Sequence, residues 1–137
     1  MNRTHITSGA KWEDLVGYSR AIRVGDWIEV SGTTAMKDGQ LVGKDDLYLQ
    51  TRTCLEIIET ALQRAGSSMK DVIRTRIYVT DISKWEEAGK AHGEFFGTIK
   101  PATAMVQVAA LIDPDMLVEI EATAWASPGN TDPGTGV

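Results

Sequence analysis

Apolar and polar positions alternate with period 2 over two stretches near the C-terminal end, and these set the first expectations. In one, Ala104, Val106, Val108 and Ala110 oppose Thr103, Met105, Gln107 and Ala109; in the other, Val118, Ile120, Ala122 and Ala124 oppose Leu117, Glu119, Glu121, Thr123 and Trp125. Alternation of this length predicts half-buried strands, and the Asp113-Pro114-Asp115 link reads as a turn, so an antiparallel hairpin is expected. If the valine-bearing sides share the core, Thr103, Met105, Gln107, Glu119 and Glu121 fall together on a polar face.

The rest of the chain is patterned as clearly. Thr4–Thr7 is β-prone and suggests an edge strand. Tyr18–Val24 and Trp27–Gly32 alternate around Gly25-Asp26, a two-residue hairpin signal that pairs Val24 with Trp27, Ile22 with Glu29 and Arg20 with Ser31. Arg20 then lies diagonal to Glu29, a favourable charge pair, and Ala21, Arg23, Ile28 and Val30 form the core side. From a cap at Asp45 or Asp46 to about Ala65, the stripe Cys54, Leu55, Ile57, Ile58, Ala61 and Leu62 predicts a helix laid on a sheet, ended by Gly66. Val72–Thr80 reads as a strand with Arg74 and Arg76 on one face, and Ser83-Lys-Trp-Glu86 as a capping box for a helix to Phe96. The order β-β-α-β-α-β-β, with a further strand at the start, predicts an α+β fold: one mixed six-stranded sheet with two helices on one face.

Length adds that residues 1–126 form a single domain able to bury a core, while 127–137, rich in Gly, Pro, Ser and Thr, reads as a disordered tail. A net charge of -5 argues against a nucleic-acid partner. One cysteine, no long apolar run and no secretory leader point to a cytoplasmic protein without membrane association. No Walker loop, dinucleotide glycine pattern or zinc motif occurs in the sequence, so neither cofactor nor metal is expected.

The chemistry-bearing residues are few. Glu119, flanked by Leu117 and Trp125 on its own strand, reads first as a solvated strand glutamate and second as a partly desolvated proton-transfer group. Arg74 and Arg76 either clamp a carboxylate or, as the preferred reading, pair with Glu29, Glu119 or Glu121. His92 is too poorly phased with Glu94 to form a catalytic pair and reads as a surface or interface histidine, and Cys54 reads as a small core residue. Tyr18 either offers its phenol to a cleft or only finishes a strand.

Tyr18-Ser-Arg-Ala-Ile-Arg-Val-Gly, Val30-Ser-Gly32, Arg74-Thr-Arg-Ile-Tyr-Val-Thr-Asp81, Glu94-Phe-Phe, Pro101-Ala102 and Val118-Glu-Ile-Glu-Ala-Thr-Ala124 together resemble the RidA/YjgF family, also called endoribonuclease L-PSP. The resemblance covers about Tyr18 to Ala126. It implies a chorismate-mutase-like fold, a homotrimer, and small-molecule clefts between subunits that hydrolyse imines or enamines such as 2-aminoacrylate without a cofactor. Tyr18, Ser31 and Gly32 match cleft positions, and Glu119 matches the water-handling glutamate, which moves it ahead of its solvated reading. Where active deaminases carry Pro-Ala-Arg-Ser-Cys, this chain has Pro101-Ala102-Thr103-Ala104-Met105, and Lys90 replaces an asparagine. Thr103 therefore stands at the position of the substrate-binding arginine, as in an arginine-lacking branch. The resemblance then implies a deaminase of another small substrate, with Lys90, Thr103, Ala104 and Met105 lining the site, or else a non-catalytic binding or chaperone-like trimer.

Overall fold

The structure, a computed structural model, describes residues 2–127, so the tail expected from 127 onward lies, apart from Ser127, outside the described residues. Eight strands and two α-helices form: β1 (Arg3–Ile6), β2 (Ala21–Val24), β3 (Trp27–Thr33), β4 (Met36–Lys37), β5 (Gln40–Leu41), α1 (Leu47–Arg64), β6 (Val72–Val79), α2 (Trp85–Phe96), β7 (Ala102–Gln107) and β8 (Val118–Trp125). Six of them make one mixed sheet in the order β1-β2-β3-β8-β6-β7, in which only β6 and β7 run parallel, while β4 and β5 form a separate small ribbon. The fold is the expected α+β arrangement.

Local chemistry explains each boundary. Val24 pairs with Trp27 and Ile22 with Glu29 across the Gly25 turn, as the hairpin signal required. Asp46 caps α1 by accepting from the Leu49 N–H at 3.0 Å. The helix ends in a Schellman motif: Gly66 takes φ +82°, Ser67 N–H donates to Leu62 C=O at 2.8 Å, and Gly66 N–H to Gln63 C=O at 3.0 Å. Start of α2 differs from expectation. The Ser83 capping box does not form; Asp81 instead accepts from the Ser83 N–H and hydroxyl, closing a 3-10 turn that runs directly into the helix.

The C-terminal strands correct the first expectation. β7 and β8 do not pair; β6 lies between them, antiparallel to β8 and parallel to β7. The α2 crossover returns the chain in the direction of β6, and the Val108–Leu117 link then carries it past β6 to the far side. Burial decides this order. Val72, Thr75, Ile77 and Val79 of β6 are buried and need neighbours on both edges, whereas β7, with its small Ala102, Thr103 and Ala104, tolerates an exposed edge.

The face assignment changes with it. Laterally paired residues share a face, so Thr103, Met105 and Gln107 lie with Thr75, Ile77 and Val79 on the helix side. Glu119 and Glu121 lie opposite Tyr78 and Arg76 on the other face, which Ala104 and Val106 share. Beneath α1, the core gathers Ile28, Val30, Leu55, Ile58, Leu62, Ile77, Val118 and Ile120. The second sheet face is left uncovered in the single chain, with Trp27 and Trp125 about half exposed at 52% and 53%. A bulge between Val72 and Arg74 turns Ile73 to solvent, against the simple alternation.

Candidate functional site

A second bulge creates the site. Between Val30 and Thr33 the β3–β8 register slips, so Ser31 and Gly32 together stand opposite the single residue Glu121. The Ser31 hydroxyl donates to Ser19 C=O at 2.6 Å, and its N–H donates to Arg20 C=O at 3.0 Å, which ties the bulge to the residues before β2. Into the space beside Gly32 reaches the Glu119 carboxylate. A Cβ at Gly32 would sit 2.2 Å from Glu119 Oε2, so glycine is favoured there by the position of the carboxylate rather than by backbone conformation.

A broad open cleft surrounds this point, with Tyr18, Arg20, Ser31, Gly32 and Glu119 on its walls. Its rim includes the segment before β2, where a short π-helical turn at Glu13–Gly17 is latched by the buried Glu13 carboxylate accepting from the Ser8 N–H and hydroxyl. Glu119 is about half-buried and accepts no hydrogen bond from any described residue. Burial, followed by the Glu121 charge, raises its pKa, and the Arg20 charge partly opposes this.

Arg20 was assigned by sequence to a pair with Glu29. That pair does not form. Glu29 accepts instead from Trp27 Nε1 at 2.9 Å and from the Thr123 hydroxyl at 2.7 Å. The Arg20 side chain turns to the bulge and donates through Nη2 to Gly32 C=O at 2.5 Å, with its Cζ 5.9 Å from the centre of the Tyr18 ring. One signal was available: Tyr18 and Arg20 are two apart on an extended segment and project to the same side.

Arg76 and Arg74 divide. Arg76 Nη1 lies 4.0 Å from Glu121 Oε1, which also accepts from the Tyr78 hydroxyl at 3.0 Å, so Arg76 pairs across the sheet as preferred. Arg74 forms no ion pair among the described residues.

Lys90, Thr103, Ala104 and Met105 do not line this cleft within the chain. Lys90 lies on the exposed side of α2, its Nζ 5.4 Å from the centre of the Tyr48 ring. Met105 packs against the core, and Ala104 faces out beyond β6. The Thr103 hydroxyl donates to Pro101 C=O at 3.2 Å and lies 2.8 Å from the Thr75 hydroxyl, itself 2.9 Å from His92 Nε2. When all three bonds form together their direction is set: His92 Nε2–H donates to Thr75, and Thr75 to Thr103. Burial lowers the His92 pKa and favours this neutral form. His92 is thus a partly buried structural residue whose ring packs on Phe96, not a free surface histidine.

An α+β chain with a glutamate-bearing cleft at a strand bulge is the class these features define. Residues 9–126 match the family model described as endoribonuclease L-PSP. A RutC family protein of Pyrococcus horikoshii is 38% identical over 110 residues, spanning 79% of this chain and 86% of that protein. The crystal structure of a YjgF/YER057c/UK114 family member from Mycobacterium tuberculosis superposes with a TM-score of 0.84 at 51% identity, covering 91% of this chain and all of that one. A Rid family protein of unknown function from Yersinia pestis superposes with a TM-score of 0.80 at 29% identity, covering 91% and 100% of the two chains. This chain belongs to the RidA/YjgF family, of which endoribonuclease L-PSP is the older description. Among the described residues, no helix is long and apolar enough to cross a membrane.

Proposed function

We propose that the chain hydrolyses the C=N bond of a small imine or enamine, other than 2-aminoacrylate, in the cleft at Glu119. The observation that carries this reading is a half-buried carboxylate with a raised pKa, on a cleft wall and free of hydrogen bonds to the described residues. Such a group holds a proton more readily than a solvated glutamate and is suited to take one from water and return it. Water adds to the carbon of the protonated imine as Glu119 takes one of its protons, giving a carbinolamine. Glu119 returns that proton to the nitrogen, the C–N bond breaks as the hydroxyl oxygen releases its proton to solvent and becomes the carbonyl, and ammonia leaves. An enamine enters the same sequence after protonation at carbon.

Assembly belongs to the same reading. Tyr18, Ser31, Gly32 and Glu119 supply one wall, while Lys90, Thr103, Ala104 and Met105 lie elsewhere in the chain. A homotrimer would bring these two sets together across a subunit boundary. The open sheet face supports association, since Ile73, Val106, Trp27 and Trp125 are each left about half exposed to water on a lone chain. Light scattering at micromolar concentration should give three times the chain mass, and a monomer would defeat this part of the proposal.

Ammonia release from a panel of enzymatically generated imines tests the chemistry. E119Q should lower turnover by roughly 10²–10⁴-fold, the usual contribution of a general acid–base. Turnover that survives unchanged in E119Q removes Glu119 from the mechanism. Thermal stabilisation by ligand with no turnover on any imine would favour the non-catalytic binding trimer, a reading supported by the uncharged Thr103.

A further inference from the structure

The cleft wall carries a second carboxylate that the chemistry at Glu119 leaves unused. Glu121 follows two residues later on β8, so its side chain falls on the same sheet face, between the β3 bulge at Ser31 and Gly32 and Arg76 of β6. The two glutamates are held differently. Glu119 accepts no hydrogen bond from a described residue, and burial favours its protonated form. Glu121 Oε1 accepts from the Tyr78 hydroxyl at 3.0 Å and faces Arg76 Nη1 at 4.0 Å, partners that suit a charged carboxylate. The Arg76 pair is at the limit of its range, and the two side chains are 42% and 36% exposed, so water screens it and the carboxylate stays open to a further partner. Glu121 Oε2 has no hydrogen-bond partner among the described residues.

We propose that Glu121 is the counter-charge for a positively charged nitrogen on the ligand, so that the cleft selects small protonated imines and amines over neutral compounds of the same shape. This deepens the reading above, and rests on it only for the reaction at Glu119. Two carboxylates in one cleft, one inclined to hold a proton and one charged, divide proton transfer from charge stabilisation. Water adds to an imine once its nitrogen is protonated, and a fixed negative charge beside that nitrogen raises the fraction held in this form. The Arg20 guanidinium does not cancel the charge by pairing with it, since it is turned to Gly32 C=O and makes no ion pair with either glutamate.

Titrations followed by NMR at pH 7, with n-butylammonium and its neutral isostere 1-butanol as probes, separate charge recognition from shape. Wild-type protein should bind butylammonium roughly tenfold or more tightly than butanol. Glutamine keeps an oxygen for the Tyr78 hydroxyl, so E121Q removes the charge and keeps the shape. Its butylammonium affinity should fall about tenfold while butanol affinity moves less than about twofold. E121D, with the charge on a shorter arm, should fall between wild type and E121Q and guards against misfolding of the latter. Equal butylammonium binding by wild type and E121Q overturns the proposal, as does wild-type protein that fails to distinguish the two probes. A loss in E119Q as large as that in E121Q would give the charge to Glu119 and overturn it equally. Charge-selective binding lost in E121Q, with no imine turned over by the wild type, would sink the hydrolase reading and leave this inference intact. Turnover that depends on Glu119 but not on Glu121 would do the reverse.

Discussion

Replacing Gly32 by alanine offers a sharp test of the site, because the three atoms nearest the new methyl all belong to the Glu119 side chain. Its Cβ would lie 2.2 Å from Glu119 Oε2, 3.0 Å from Cδ and 3.4 Å from Cγ. Real Cβ contacts begin near 3.0 Å, so the carboxylate oxygen must retreat by about 0.8 Å. Glu119 can do so by leaving its preferred rotamer, at a cost of roughly 1 kcal/mol. In thermal unfolding that is a fall in Tm of roughly 4 °C. Catalysis should suffer far more, since a displacement near 1 Å at a reacting group costs on the order of 100-fold. The decisive measurement is a double-mutant cycle by denaturant unfolding. In an E119A background the clash partner is gone, and G32A should become neutral, or stabilising by about 0.5 kcal/mol through reduced freedom of the unfolded chain. An equal loss of stability in both backgrounds would show that Gly32 is required by something other than the Glu119 carboxylate, and the site as described would be wrong.

Two further outcomes follow from groups outside the cleft. His92 has a depressed pKa in the folded chain, so the unfolded chain binds the extra proton first; stability should be fully present above about pH 6.5 and fall as pH drops through the folded value. Unfolding curves from pH 8 to 5 should show this fall and lose part of it in H92Q, and an unchanged slope would place the imidazole in water. Burial, and secondarily the Glu119 charge, pushes the Cys54 thiol well above its usual range, so native protein should be inert to a thiol reagent at pH 8 and react only on unfolding. Prompt reaction in the folded state would mean that the α1–sheet interface opens readily.

Local pattern determined the elements. The Gly25 turn, the Asp46 cap, the Gly66 terminus and the apolar stripe of α1 each depend on residues a few positions apart, and each appears where the sequence placed it, except that Ile57 of the stripe is only partly buried and lines the cleft. Alternation placed Glu119 on its strand, but by pattern alone it reads first as a solvated glutamate, and only the family resemblance moves it ahead of that reading. Tertiary structure alone decided three things. It inserted β6 between β7 and β8, because alternation says which residues share a strand face but not which strand lies next door. It removed Thr103 and Met105 from the face of Glu119, as a consequence of that order. It also sent Arg20 to Gly32 rather than Glu29, because a bulge opens a carbonyl that no ladder would leave free. Strand neighbours and bulges are set by competition for burial across the whole sheet, and that competition has no signature within any one segment.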